Sequence, residues 1–229
     1  MQESLKMPIR QPVSTHGKRL FIARHGETIF NIAGRIQGNA AYTPLTRRGF
    51  TQAEAMGEGL KAWLLQQGEQ MPPEIRLAAS NTDRALQTLA VVSEHLGLDW
   101  HSCDADPRLA EVNVGDWAGQ WYKDLLAEHG EFVHAEHSLF VKTGAGGESN
   151  ADIALRLQDW IADQDFTSDM LIISHGITSR ILRGLLTGQP DLEDFGAPVM
   201  PGLPQGSMVM IRDGVEELIV QGTGMLGRK

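Results

Sequence analysis

The sequence predicts an α/β fold: a three-layer sandwich with a central, mostly parallel sheet, helices on both faces, and a small helical or loop excursion over the site. Three observations predict it. Arg19–Ala23, Ile75–Ala79 and Met170–Ser174 are short apolar runs of strand length. Stretches with apolar residues every three or four positions lie between and after them, the spacing of one helical face. The two kinds alternate along the chain, which is the order that builds parallel sheets with helical crossovers.

Residues 1–18 carry Pro8, Pro12 and Gly17 among few apolar residues and are expected to form an N-terminal arm, with residues 19–229 a single domain. Arg19–Ala23 is the first strand. Thr46, after Pro44-Leu45, is placed to cap a helix that buries Phe50, Ala53, Met56, Leu60 and Leu64. Ile75–Ala79 is the second strand, and Asp83–Leu96 a helix closed by Gly97. Residues 107–148, with a helix over Trp121–His129 and an aperiodic stretch after it, are the expected excursion. Ser149-x-x-Asp152 is a capping-box pattern opening a helix that carries Ile153, Leu157 and Ile161. Met170–Ser174 is the strongest strand signal, and Ile177–Leu186 follows it as a helix. Arg212-Asp213-Gly214 joins Gly206–Ile211 to Val215–Val220 as a closing hairpin.

The 229 residues carry a net charge of −9, which argues against nucleic-acid binding, since that rests on phosphate neutralisation by Lys and Arg. A single cysteine, Cys103, excludes a disulfide framework and a multi-cysteine zinc site. The polar N-terminus and the lack of a long apolar run predict a cytoplasmic protein that does not associate with membranes. A homodimer is compatible with the sequence.

Two strands end alike: the first runs into Arg24-His25-Gly26 and the last parallel one into His175-Gly176. Ligands of open α/β sheets collect beyond the carboxyl ends of the strands, so both imidazoles are expected at that edge. Taken singly, Arg24 and Arg84 read as solvated cations, and Trp63 and Trp160 as core. Glu131, His134, Glu136 and His137 read as a solvated charged face rather than a metal cluster.

An ordered set of motifs carries a resemblance. It comprises Arg24-His25-Gly26-Glu27-Thr28 with Asn31, Gln37-Gly38, Pro44-Leu45-Thr46 and Gly49. Ser80, Arg84-Ala85, Gln87-Thr88, Leu109-x-Glu111 and Gly115-x-Trp117-x-Gly119 follow. Gly147-Glu148-Ser149 and His175-Gly176-x-x-x-Arg180 complete it, over roughly residues 19–187. The chain resembles the histidine phosphatase superfamily in its phosphoglycerate-mutase-like branch. The resemblance implies a phosphatase acting on a small phosphorylated metabolite, with no cofactor and no metal. His25 would be the nucleophile that forms a phosphohistidine, and Arg24, Arg84 and His175 would bind the phosphoryl group. Glu111 would be the proton donor, and Asn31, Gln37, Gly38 and Gly176 would line the phosphate pocket. A proton donor must hold its proton, so apolar surface from Trp117 is the expected surrounding of Glu111. Thr28, Glu148 and Arg180 are expected to play supporting parts at most, with Arg180 an ion-pair partner holding its helix.

The chain also departs from the family pattern. No acidic residue lies between Gln37 and Pro44, and Asn81 stands where Asp is common. After Glu111 the run Val112-Asn113-Val114 lacks the cationic grip with which a mutase retains its bisphosphate. This favours hydrolysis. A phosphoglycerate mutase and a non-catalytic phospholigand-binding protein are the alternatives.

Overall fold

A computed structural model describes residues 10–224 of the chain. Strand β1 (Leu20–Arg24) leads into a short helix α1 (Ile29–Ala33), and α2 (Arg47–Gln66) follows. Next come β2 (Ile75–Ala79), α3 (Asp83–Leu96), the two-residue β3 (Asp104–Ala105) and α4 (Tyr122–His129). Helix α5 (Asn150–Ala162), β4 (Asp169–Ser174) and α6 (Gly176–Leu186) precede the small pair β5 (Asp191–Leu192) and β6 (Ala197–Pro198). The hairpin β7 (Met208–Arg212) and β8 (Val215–Val220) is the last regular structure among the described residues.

The main sheet has the order β3-β2-β4-β1-β7-β8. The first four strands run parallel, and β7 and β8 add antiparallel pairs at one side. Strand alternation divides the core. Leu20, Ile22, Met170 and Ile172 point to the face covered by α5 and α6, with Trp160, Leu157 and Ile181. Phe21, Ala23, Leu171 and Ile173 point to the face covered by α2 and α3, with Met56, Leu60 and Leu89. The α/β three-layer expectation is therefore met.

Local chemistry explains the element ends. Thr46 caps α2, its hydroxyl accepting from Gly49 N, and Ser149 with Asp152 forms the capping box of α5. Gly97 closes α3 in the left-handed conformation, at φ 71°. Phe50 departs from expectation. It is 39% exposed, because the stripe that α2 buries runs through Gly49, Gln52, Ala53, Met56 and Gly57, leaving Phe50 at its rim in the first turn.

Residues 10–18 lie along the body. Val13 N–H donates to Leu186 O (3.0 Å), and the Asp213 carboxylate accepts from Thr15 N (2.8 Å). Residues 1–9 of the expected arm lie outside the described residues. Among the described residues no helix is long and apolar enough to cross a membrane.

Candidate active site

The parallel register of β1 and β4 pairs Arg24 with Ser174. The next residue on each strand is a histidine, so His25 and His175 leave the sheet side by side. Their ring centroids lie 5.0 Å apart at 63°. Both imidazoles are buried.

The environment of His25 selects one tautomer. Its Nδ1 lies 2.7 Å from the carbonyl oxygen of Gly26. A carbonyl only accepts, so Nδ1 carries the hydrogen and Nε2 keeps its lone pair. Burial, reinforced by the neighbouring Arg84 and Arg24 guanidinium groups, holds the His25 pKa well below its usual range. His175 is displaced the same way, by burial and then by Arg84 and His25. Two neutral imidazoles result.

Gly26 and Gly49 let the His25 loop lie against the start of α2. A Cβ on Gly26 would overlap the Gly49 carbonyl, and one on Gly49 would overlap the Glu27 carbonyl. Gly26 N–H donates to Thr88 Oγ1 (3.2 Å), and Gln87 Oε1 accepts from Leu45 N (3.0 Å). Gln87-Thr88 and Pro44-Leu45 thus brace the loop that presents the imidazole.

Arg84 is fully buried on α3. Its Nη1 donates to Ala40 O and Thr43 Oγ1 and its Nη2 to Gly38 O, each at 2.7 Å, while its buried Nε has no partner. Among the described residues no carboxylate hydrogen-bonds to its guanidinium, and burial brings its pKa down to about 10. Arg24 donates to Leu203 O at 3.2 Å.

Two amides add donors. Asn31 Oδ1 accepts from Thr28 N (3.0 Å) and Gln205 Nε2 (2.7 Å), and Gln37 Oε1 accepts from the Thr28 hydroxyl (2.7 Å). With both oxygens held, the NH2 groups of Asn31 and Gln37 are left for the cavity both residues line. Thr28 sets this orientation and also caps α1.

Glu111 projects from the 107–112 segment onto the N-terminus of α6. Its Oε1 accepts from Thr178 N (3.1 Å) and from the Thr178 hydroxyl (3.2 Å), and Oε2 from Ile177 N (3.1 Å). Gly176 permits the approach: a Cβ there would lie 3.3 Å from Glu111 Oε2 and 3.4 Å from Arg24 Cζ. The surroundings of this carboxyl are therefore polar. Trp117 does not supply the expected apolar surface; it is in the core, stacked on His129 at 5.0 Å and edge-on to Phe132.

One cavity unites these groups. It is lined by all the predicted site residues except His175, which packs against the ring of His25 and reaches Thr82 Oγ1 at 3.5 Å. Against a net charge of −9, the cavity gathers Arg24, Arg35, Arg84 and Arg180 around a single carboxylate. Among the described residues no group of three or more His, Cys, Asp or Glu side chains is placed to hold a metal ion.

Residues 20–202 match the histidine phosphatase superfamily (branch 1). The chain belongs to this superfamily. It is 33% identical over 176 residues to the adenosylcobalamin/alpha-ribazole phosphatase of Salmonella typhimurium, spanning 74% of this chain and 80% of that protein. With the glucosyl-3-phosphoglycerate phosphatase of Mycobacterium tuberculosis it shares 32% identity over 146 residues, 64% of this chain and 60% of the relative. The solved alpha-ribazole phosphatase of Shigella flexneri superposes with a TM-score of 0.66 at 26% identity, covering 92% of this chain and 99% of that one. The expected family is borne out, and these relatives are named as phosphatases, in agreement with a phosphoric monoester hydrolase.

Two parts of this histidine phosphatase's site escaped the sequence reading. Arg35, whose guanidinium lies 4.4 Å from the Trp121 ring centroid, lines the cavity although nothing in the sequence marked it. Arg156 grips Glu148 (Nε to Oε1, 2.6 Å) and donates to the carbonyls of Arg108 and Ala110 (Nη2 to Ala110 O, 2.9 Å). Glu148 Oε2 in turn accepts from Asn113 N (2.9 Å), so the pair straps the segment that carries Glu111. An arginine one helical turn past a capping box gives no signal of this. Arg180 corrects an expectation: it makes no ion pair among the described residues, but donates to Met200 O (2.8 Å) and His137 O (2.7 Å) beside the cavity. Burial and nearby Arg183 lower its pKa to about 10. The segment expected as a charged face is half-buried at His134 and His137, which stack on each other at 5.0 Å and meet Phe195 edge-on at 5.5 Å.

The neutral imidazoles have a consequence for stability. Below pH 6.5 an unfolded histidine takes up a proton that folded His25 and His175 refuse, so the unfolded chain binds more protons and stability falls as pH falls. Two such sites give a slope of up to about 2.7 kcal/mol per pH unit. The urea midpoint is expected to drop between pH 6.5 and 5.5, and less steeply in His175→Gln. A midpoint flat across that window would contradict the buried neutral pair.

Proposed function

We propose that this chain is a metal- and cofactor-independent phosphatase that hydrolyses a small phosphorylated metabolite through a phosphohistidine on His25. The observation that carries the reading is the His25 tautomer. A neutral imidazole with Nδ1–H held by Gly26 O keeps Nε2 as a nucleophile beside Arg24 and Arg84.

In this mechanism Arg24 and Arg84 with the amide donors of Asn31 and Gln37 surround the equatorial oxygens of the phosphoryl group, where charge spreads in the transition state, and His175, packed against the ring of His25, adds a further donor to the group. Guanidinium forks suit those oxygens in shape as well as in charge. Nε2 of His25 bonds to phosphorus as the ester oxygen departs, and Glu111 gives that oxygen a proton. Water then attacks the phosphohistidine, Glu111 takes a proton from it, and His25 is released with inorganic phosphate. Val112 lines the cavity next to Glu111, where a mutase would need a cation to retain its bisphosphate. That favours release to water over return to a second hydroxyl.

The test is phosphate release over a panel of phosphorylated metabolites, with alkaline quenching to trap an acid-labile phosphoenzyme. Turnover that resists EDTA and passes through that phosphoenzyme is expected. Turnover removed by EDTA but retained in His25→Ala would sink the reading. Interconversion of phosphoglycerates after bisphosphoglycerate priming would favour the mutase alternative.

A further inference from the structure

The cavity is lined by two kinds of residue. His25, Arg24, Arg84 and Glu111 are the charged and imidazole groups of the proposed chemistry, with Arg35, Ser138 and Arg180 as further polar lining. Ile36, Val112, Tyr122, Val133, Phe140 and Ile177 form an apolar wall. The excursion supplies most of that wall and is held firmly. Val133 and Phe140 form a β-bridge, Asn150 Nδ2 donates to Phe140 O (2.9 Å), and Arg180 fastens the intervening loop through His137 O. Behind the wall, Phe132 stacks on Phe140 at 8° and lies 4.9 Å from Tyr122.

A leaving group rich in hydroxyls would need acceptors here. Among the described lining residues the one carboxylate is Glu111, and the amide oxygens of Asn31 and Gln37 are held by Thr28 and Gln205. Sugar hydroxyls placed against Val133 and Phe140 would lose water without a partner on those side chains, which disfavours them there; the polar groups of the remaining lining are Arg35, Ser138, Arg180 and the Tyr122 hydroxyl. An apolar ring would lose only unfavourable water contacts.

We propose that the alcohol released by this enzyme carries an apolar aromatic ring seated between Phe140, Val133 and Tyr122, so that the substrate class is phosphomonoesters of aryl-bearing alcohols. The inference rests on the phosphatase reading above and deepens it.

The test compares 2-phenylethyl phosphate with ethyl phosphate on the full chain. Both release a primary alkoxide, so the ring is what differs between them. The kcat/KM ratio is expected to favour the phenyl ester by roughly 10- to 100-fold, the effect of burying one ring. The ratio is expected to fall towards one in Phe140→Ala. Because Phe140 also packs on Phe132, Val133→Ala serves as a second variant. A wild-type ratio near one, or faster hydrolysis of 3-phosphoglycerate than of the phenyl ester, would overturn the inference.

Calorimetric binding of 2-phenylethylphosphonate and ethylphosphonate makes the same comparison without turnover. Equal affinities would overturn the aryl assignment. Tighter binding of the phenyl compound with neither ester hydrolysed would support that assignment and count against the phosphatase reading instead.

Discussion

Substituting His25 by alanine is expected to lower kcat/KM by on the order of 10⁴-fold or more and to abolish the acid-labile phosphoenzyme. The size follows from its role as the atom that bonds to phosphorus, for which the remaining groups offer no substitute. His175 is fully buried beside it and does not line the cavity, so it is not placed to take over the attack. Phosphate affinity is expected to survive, since Arg24, Arg84, Asn31 and Gln37 remain. Calorimetry with inorganic phosphate separates the two effects. A variant that still forms a phosphoenzyme would show that another side chain attacks.

Glu111→Gln is the second large effect, and its diagnostic is the leaving group. For an alkyl ester the loss is expected to be about 10² to 10⁴-fold, the usual contribution of a positioned general acid. With p-nitrophenyl phosphate, whose phenolate departs without a proton, the loss in the transfer step is expected to be much smaller. Glutamine keeps one oxygen to accept from the Ile177 and Thr178 N–H groups, so the start of α6 is preserved. Single-turnover kinetics on both esters give the comparison. Equal losses on the two would assign Glu111 to phosphate binding or to holding α6, not to proton transfer.

Much of this arrangement was legible along the chain. The strand runs, the Thr46 and Ser149 caps and the Gly97 stop are local patterns, written in a few adjacent residues, and each element formed where they pointed. The motif set named His25, Arg24, Arg84, Glu111 and His175, and the fold brings them to one end of the sheet. Arg35 and Arg156 were not legible. Their partners, Trp121, Glu148 and the carbonyls of residues 108 and 110, are distant in sequence or belong to the backbone, and one sequence carries no trace of either.

The sequence by itself determined the α/β class and the chemical groups available: two strand-end histidines, two arginines and one glutamate. Only the tertiary structure decided how those groups act. The β1–β4 register sets His25 beside His175, the Gly26 carbonyl chooses the tautomer, and α6 receives Glu111 on its N-terminus instead of against Trp117. The physical reason is range. Strand and helix preferences are fixed within a few residues, whereas proton positions and pocket walls depend on groups that meet only after the chain has closed on itself.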